Sequence, residues 1–153
     1  MSHLSLATRA PGGAGWRGPR FSEAIEYDQR LIPPPDDLVT EPDSLAHVSA
    51  DLLGVGSGPL RDARLLSGLL IAAAGAAGLN AVGAPIVRTA PDGGISAVLL
   101  LDPCHVSIHS LPDRGLALVD VLAPDVALAT KALDVFVRRL APTAVTSDTR
   151  IRG

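Results

Sequence analysis

The feature that most constrains this chain is the crowding of strand-like segments between Gly94 and Ala123. "GISAVLLLD", "CHVSIHS" and "GLALVDVLA" are rich in Val, Ile and Leu and follow one another with only short links between them. Parallel neighbours would need crossovers of about a dozen residues or more. The links are too short for that, so these strands must run antiparallel. "HVSADLL" alternates well enough for an earlier strand, "AVGAPIVRTA" reads as another weakened by Pro85, and "TAVTSDTRI" as a last one. Helices must cover the resulting sheet. Pro59 suits a first helical turn, and Leu65, Leu66, Leu69, Leu70 and Ala73 share one face of a helix over about 60–77, stopped by Gly78 and Asn80. Val126, Ala129, Leu133, Phe136, Val137 and Leu140 recur at helical spacing over about 125–140, before Pro142. The order predicts an α+β fold: a two-layer sandwich with a largely antiparallel sheet and two helices on one of its faces.

A chain of 153 residues, 47% hydrophobic, supports one compact domain. Its first stretch is different in kind. "APGGAGWRGPR" and "LIPPPDDLVTEPD" break every periodic pattern, so 1–44 is expected to be a flexible Gly/Pro-rich extension carrying Trp16, Phe21 and Tyr27, with the folded domain over 45–153. The formal net charge is -3 and basic residues are scattered, which argues against nucleic acid and for a small-molecule or protein partner. One cysteine cannot form an internal disulfide, consistent with a cytoplasmic protein. The apolar run from Leu65 to Leu79 would reach only about 22 Å as a helix, short of a roughly 30 Å hydrocarbon core. Arg9, Arg17 and Arg20 have no apolar segment beside them of the kind a secretory signal needs. No membrane association is expected.

Two stretches invite chemistry. "GVGSGP" lies between a strand and a helix, where glycines can let backbone N–H groups approach a phosphate. Gly54, Gly56 and Gly58 merely alternate, however, and Pro59 occupies the position where a dinucleotide fingerprint needs its last glycine. An ordinary turn is the better reading. The second stretch holds Cys104 beside His105, with His109 further on. Thiolate and imidazole both suit zinc, but in a strand the two histidines share a face that Cys104 does not, and no fourth ligand is evident. No metal is expected. A thiol activated by a neighbouring base and a buried, inert thiol both stay open.

"GISAVLLLDPCHVSIHSLPDRGLALVDV" resembles the centre of the prokaryotic S-adenosylmethionine decarboxylases, a pyruvoyl-dependent family. "HVSADLLGV" is similar to that family's opening strand, and the landmarks keep their order through to "RIRG", so the likeness covers nearly all of His47 to Gly153. It implies self-cleavage: a serine attacks the carbonyl before it, and elimination splits the chain to leave a pyruvoyl group at the new amino terminus. That group serves as the electron sink for loss of a substrate carboxylate. The implied substrate is S-adenosylmethionine, the implied product an aminopropyl donor for spermidine, and the implied assembly a homodimer.

Carried over by position, the cleavage serine falls on Cys104, and the assisting serine and histidine on Ser96 and His109. His105 and Asp113 fall on the family's histidine after the cleavage serine and on the acid of its substrate segment. Several positions depart: Val55 replaces the opening strand's cysteine, Pro103 a glutamate, Cys104 the serine, Leu111 a tryptophan, Asp113 a glutamate, and Pro124 the proton-donating cysteine. A thiol can make the same attack through a thioester. Loss of the acid at Pro124 removes a step that contributes about 100- to 10,000-fold. Together the replacements predict a chain that stays mostly uncut with a free Cys104 thiol, which favours one alternative, a non-catalytic homologue that binds a nucleoside or metabolite or regulates an active relative; a second alternative, a decarboxylase of another amino acid, follows from Leu111, which removes an aromatic surface for an adenine.

Overall fold

In each long central strand, alternate side chains are buried, so the sheet has one dry face and one wet one. β1 (Leu45–Leu53) buries Ala46, Val48, Ala50 and Leu52 and turns His47, Ser49 and Asp51 the other way. β3 (Ile95–Leu100), β4 (His105–Leu111) and β5 (Leu116–Ala123) follow the same period, burying Ile95, Ala97, Leu99, Val106, Ile108, Val119 and Val121. β2 (Ile86–Thr89) and β6 (Ala144–Arg152) lie at the edges and are exposed throughout. The computed structural model describes residues 44–153; the extension expected over 1–44 lies outside the described residues, Ser44 excepted.

The six strands follow the order β2-β3-β4-β5-β1-β6, and every neighbouring pair is antiparallel. The expectation from short links therefore holds across the whole sheet. α2 (Ala63–Ala77) lies over β3 and β4, and α3 (Val126–Leu140) over β5 and β1. Their inward stripes, among them Leu66, Leu69, Leu70, Leu133 and the fully buried Phe136, meet the dry face in one continuous core. A Leu or Phe side chain so buried contributes roughly 1.5–3 kcal/mol relative to exposure. The opposite face carries no helix among the described residues, and this face holds the polar chemistry.

Two local details differ from the sequence expectation. The helix expected over about 60–77 is broken: α1 (Ser57–Leu60) is a single turn, and α2 starts afresh after Asp62. The Asp62 carboxylate accepts the backbone N–H groups of Arg64 and Leu65 at 3.0 and 2.9 Å, so it caps a new helix instead of continuing the old one. The strand expected across "AVGAPIVRTA" shrinks to Ile86–Thr89, leaving Ala81 with an isolated bridge to Leu101. The glycines of "GVGSGP" serve a turn. Gly54 has φ 72°, and a Cβ there would sit 2.0 Å from Thr143 Oγ1.

Candidate active site

Ser96 and His109 are directly opposed in the β3–β4 ladder, so the register alone brings their side chains together on the open face. His109 Nδ1 and Ser96 Oγ are 2.9 Å apart. Both residues are exposed. A shallow cavity of about 300 Å³ adjoins them, lined by Ser49, Asp51, His109, Leu118 and Asp120 among others.

Cys104 belongs to a different environment. It ends the β3–β4 link, where the Leu101 N–H donates to the Cys104 carbonyl at 2.8 Å. Cys104, Val106 and Ile108 share the parity of the dry face, and the thiol is only 5% exposed within the core. Burial pushes the thiol above its ordinary value, and the nearby Asp102 charge pushes it further the same way. The thiol is therefore held in its neutral form. His109 lies about 13 Å further along β4 than His105, at roughly 3.3 Å per residue. Within a single chain, then, the serine–histidine pair does not flank the Pro103–Cys104 peptide, contrary to what its expected role requires.

His105 opens β4, half-buried on the open face, level with Leu100 and Leu122. Asp113 sits at the far end of the same strand, in a 3-10 turn over Pro112–Arg114. There Arg61 Nη2 donates to its carboxylate at 2.6 Å, and Arg61 Nη1 donates to the Asp92 carbonyl. Beneath the turn, the buried Ser110 Oγ accepts the Ile95 N–H at 2.8 Å and donates to the Leu60 carbonyl at 2.7 Å. The five sequence-derived residues thus fall into three groups along the sheet: Cys104 and His105 at one end, Ser96 and His109 towards the other, and Asp113 at its rim.

One polar cluster escaped the sequence reading. His47 Nε2 lies 2.7 Å from Asp120 Oδ1, and Arg152 Nε donates to His47 Nδ1 at 3.1 Å. Because Arg152 can only donate, Nδ1 must accept, which puts the ring proton on Nε2, facing the carboxylate. The signal was available: an aspartate inside "LALVDVLA" and a histidine opening "HVSADLL" both fall on the polar side of their alternations. Among the described residues no group of three or more His, Cys, Asp or Glu could hold a metal ion, and no helix is long and apolar enough to cross a membrane.

Comparison with known proteins converges on one family. The S-adenosylmethionine decarboxylase family profile matches residues 46–153, which is all of the sheet but Leu45, and both long helices. An S-adenosylmethionine decarboxylase proenzyme of Aquifex aeolicus is 32% identical over 108 residues, covering 70% of this chain and 79% of that protein. An arginine decarboxylase proenzyme of Hyperthermus butylicus is 40% identical over 76 residues, 49% of this chain and 54% of that protein. A Symbiobacterium thermophilum S-adenosylmethionine decarboxylase proenzyme is 36% identical over 74 residues, 48% of this chain and 55% of its own length. The chain thus spans about half the length of two of these relatives. The crystal structure of the Aquifex aeolicus adenosylmethionine decarboxylase superposes with a TM-score of 0.66 at 31% identity, over 71% of this chain and 90% of that one. A two-layer α+β fold with a serine–histidine pair on its open face, matched by profile, sequence and structure, puts this chain in the S-adenosylmethionine decarboxylase family.

Proposed function

We propose that the chain decarboxylates S-adenosylmethionine or a related amino acid, after cleaving itself at Pro103–Cys104. The observation that carries this reading is the Ser96–His109 pair, fixed at 2.9 Å by strand register. A hydroxyl and an imidazole held together are suited to polarising a carbonyl and moving a proton. In the cleavage, Cys104 Sγ attacks the Pro103 carbonyl carbon, the peptide C–N bond breaks, and the nitrogen takes the thiol proton. Removal of the Cys104 α-proton then breaks the Cβ–S bond and releases a thiocarboxylate at Pro103. Water hydrolyses the resulting dehydroalanine nitrogen as ammonia, leaving a pyruvoyl group at position 104. Cys104 suits this precursor role by residue type and chain position. Once formed, the group supplies an electron sink for the departing carboxylate.

The distance between Cys104 and the pair supports a homodimer. Leu100 and Leu118 are 52% and 36% exposed on the open face, a surface that stacking against a second copy would dry. A two-fold axis crossing β4 between Val106 and Ser107 would lay His109 of one copy over the Pro103–Cys104 backbone of the other, on the face opposite the thiol. Each site would then be built from both chains. Spermidine synthesis is the consuming pathway that the family implies, and a cytoplasmic location accords with it.

The second reading, an uncut homologue that binds a small molecule, is favoured by the buried and neutral Cys104 thiol. Denaturing mass spectrometry of the purified full chain separates the two. The decarboxylase reading expects two fragments, one ending at Pro103 and one beginning with pyruvoyl. One intact mass, with a thiol that alkylates only after unfolding, would replace it with the second.

A further inference from the structure

The outer surface of the helix layer, remote from the open sheet face, carries a cleft that the proposed decarboxylation does not use. α2 and α3 part around a cavity of about 470 Å³, with Arg64 and Arg139 at its rim and Leu69 and Val135 beneath. That volume lies within the roughly 300–1,000 Å³ range of small-molecule sites.

Three observations point to an anionic occupant. First, Arg64 and Arg139 bring two guanidinium groups to one cleft, and neither has a carboxylate partner among the described residues. Like charges gathered without a counter-charge favour an anion between them. Second, Arg139 suits the carbonyl end of α3, whereas Arg64 stands in the first turn of α2, beside a positive helix end whose Asp62 cap is already engaged by two backbone N–H groups. Third, Gly68 interrupts the middle of α2 although a Cβ there would meet nothing within 4 Å. Glycine weakens a helix interior relative to alanine, and internal packing does not require it here. Its absent side chain, with the small Ala72 one turn on, keeps the cleft deep.

We infer that this cleft binds a small organic anion, with a flat apolar body against Leu69 and Val135 and a carboxylate or phosphate between Arg64 and Arg139. The size of the cavity favours a metabolite over a partner helix, which would need an elongated groove with anchors at successive turns.

Three probes with one aromatic body test it on the full chain by amide-resolved NMR titration: 2-naphthoate, 2-naphthylmethanol and 2-naphthylmethylammonium. The naphthoate should saturate one site, shift the amides of Gly68, Ala72 and Val135, and bind about tenfold or more tighter than the alcohol, as charge-assisted hydrogen bonds to two arginines require. The ammonium should bind weakest. Replacing both cations (Arg64→Gln with Arg139→Gln) should bring naphthoate down to the affinity of the alcohol. Gly68→Leu, which leaves the charges in place, should block all three. Equal binding of the three probes, undiminished binding to the double variant, shifts confined to the open face around Ser96 and His109, or no saturable binding would each overturn the inference. None of these outcomes depends on whether Pro103–Cys104 is cleaved.

Discussion

Cys104 shows what strand parity does to a single side chain. The alternation of "CHVSIHS" is enough to set Cys104 against His105 and His109, which argues against one metal being shared by all three. It does not say which side is dry, because that depends on where the helices land. The landing of α2 over β4 buries the thiol and raises its pKa. A consequence for stability follows. The folded chain keeps the thiol proton above the ordinary value of 9.0, whereas the unfolded chain gives it up there. Stability that is complete below that value is therefore lost as pH rises from it towards the raised folded value. Urea midpoints measured from about pH 8 to about pH 10 should fall more steeply for the uncut chain, which keeps its thiol, than for Cys104→Ala. Parallel curves would show that the thiol titrates alike in both states. Ser96 and His109 were legible as a pair through the family's spacing, and the ladder accounts for their contact. For His47 and Asp120 the alternation marks the shared polar face but not the pairing, since Asp120 and Arg152 come from strands distant in sequence.

At the scale of elements, the sequence was most legible where periodicity ran long. α3 was readable almost to its ends, because its apolar stripe is regular and Asp125 and Pro142 bracket it. The start of α2 was not, because Pro59 and the leucines after it read as one helix. Asp62, the residue that divides them, is inconspicuous until its carboxylate is seen on two N–H groups. Removing that acceptor should cost what caps usually cost. Asp62→Ala is expected to lower unfolding free energy by about 1 kcal/mol, read from urea denaturation. An unchanged midpoint would mean that packing of Leu66, Leu69 and Leu70 alone fixes the helix start. The edge strands explain the other shortfall: β2 buries no residue, so no apolar alternation could mark its limits within "AVGAPIVRTA".

For the whole molecule, the decisive property is that one face of a six-stranded sheet has no helical cover among the described residues and holds the polar clusters. The chain's sequence could foretell two layers, and its spacing already spreads the residues that the resemblance assigns to one mechanism from Cys104 to Asp113, about 30 Å of strand at most. Sharing of sites between two copies reconciles that spread with a single reaction, and it can be tested without a structure of the dimer. His109→Ala should remain uncut when produced alone, because neither site has its imidazole. Cys104→Ala should also remain uncut, because neither site has its nucleophile. Produced together as a mixed dimer, the His109→Ala chain supplies an intact Cys104 and the Cys104→Ala chain an intact His109, so one of the two sites is whole. The His109→Ala chain, and not its partner, should then split at Pro103–Cys104, giving fragments distinguishable by mass. Both substitutions leave the exposed leucines of the open face, Leu100 and Leu118, in place. Cleavage of the native chain combined with silence of the mixed dimer would place nucleophile and helper in the same copy, and would require the β3–β4 link to move by about the length of five strand residues to bring them together.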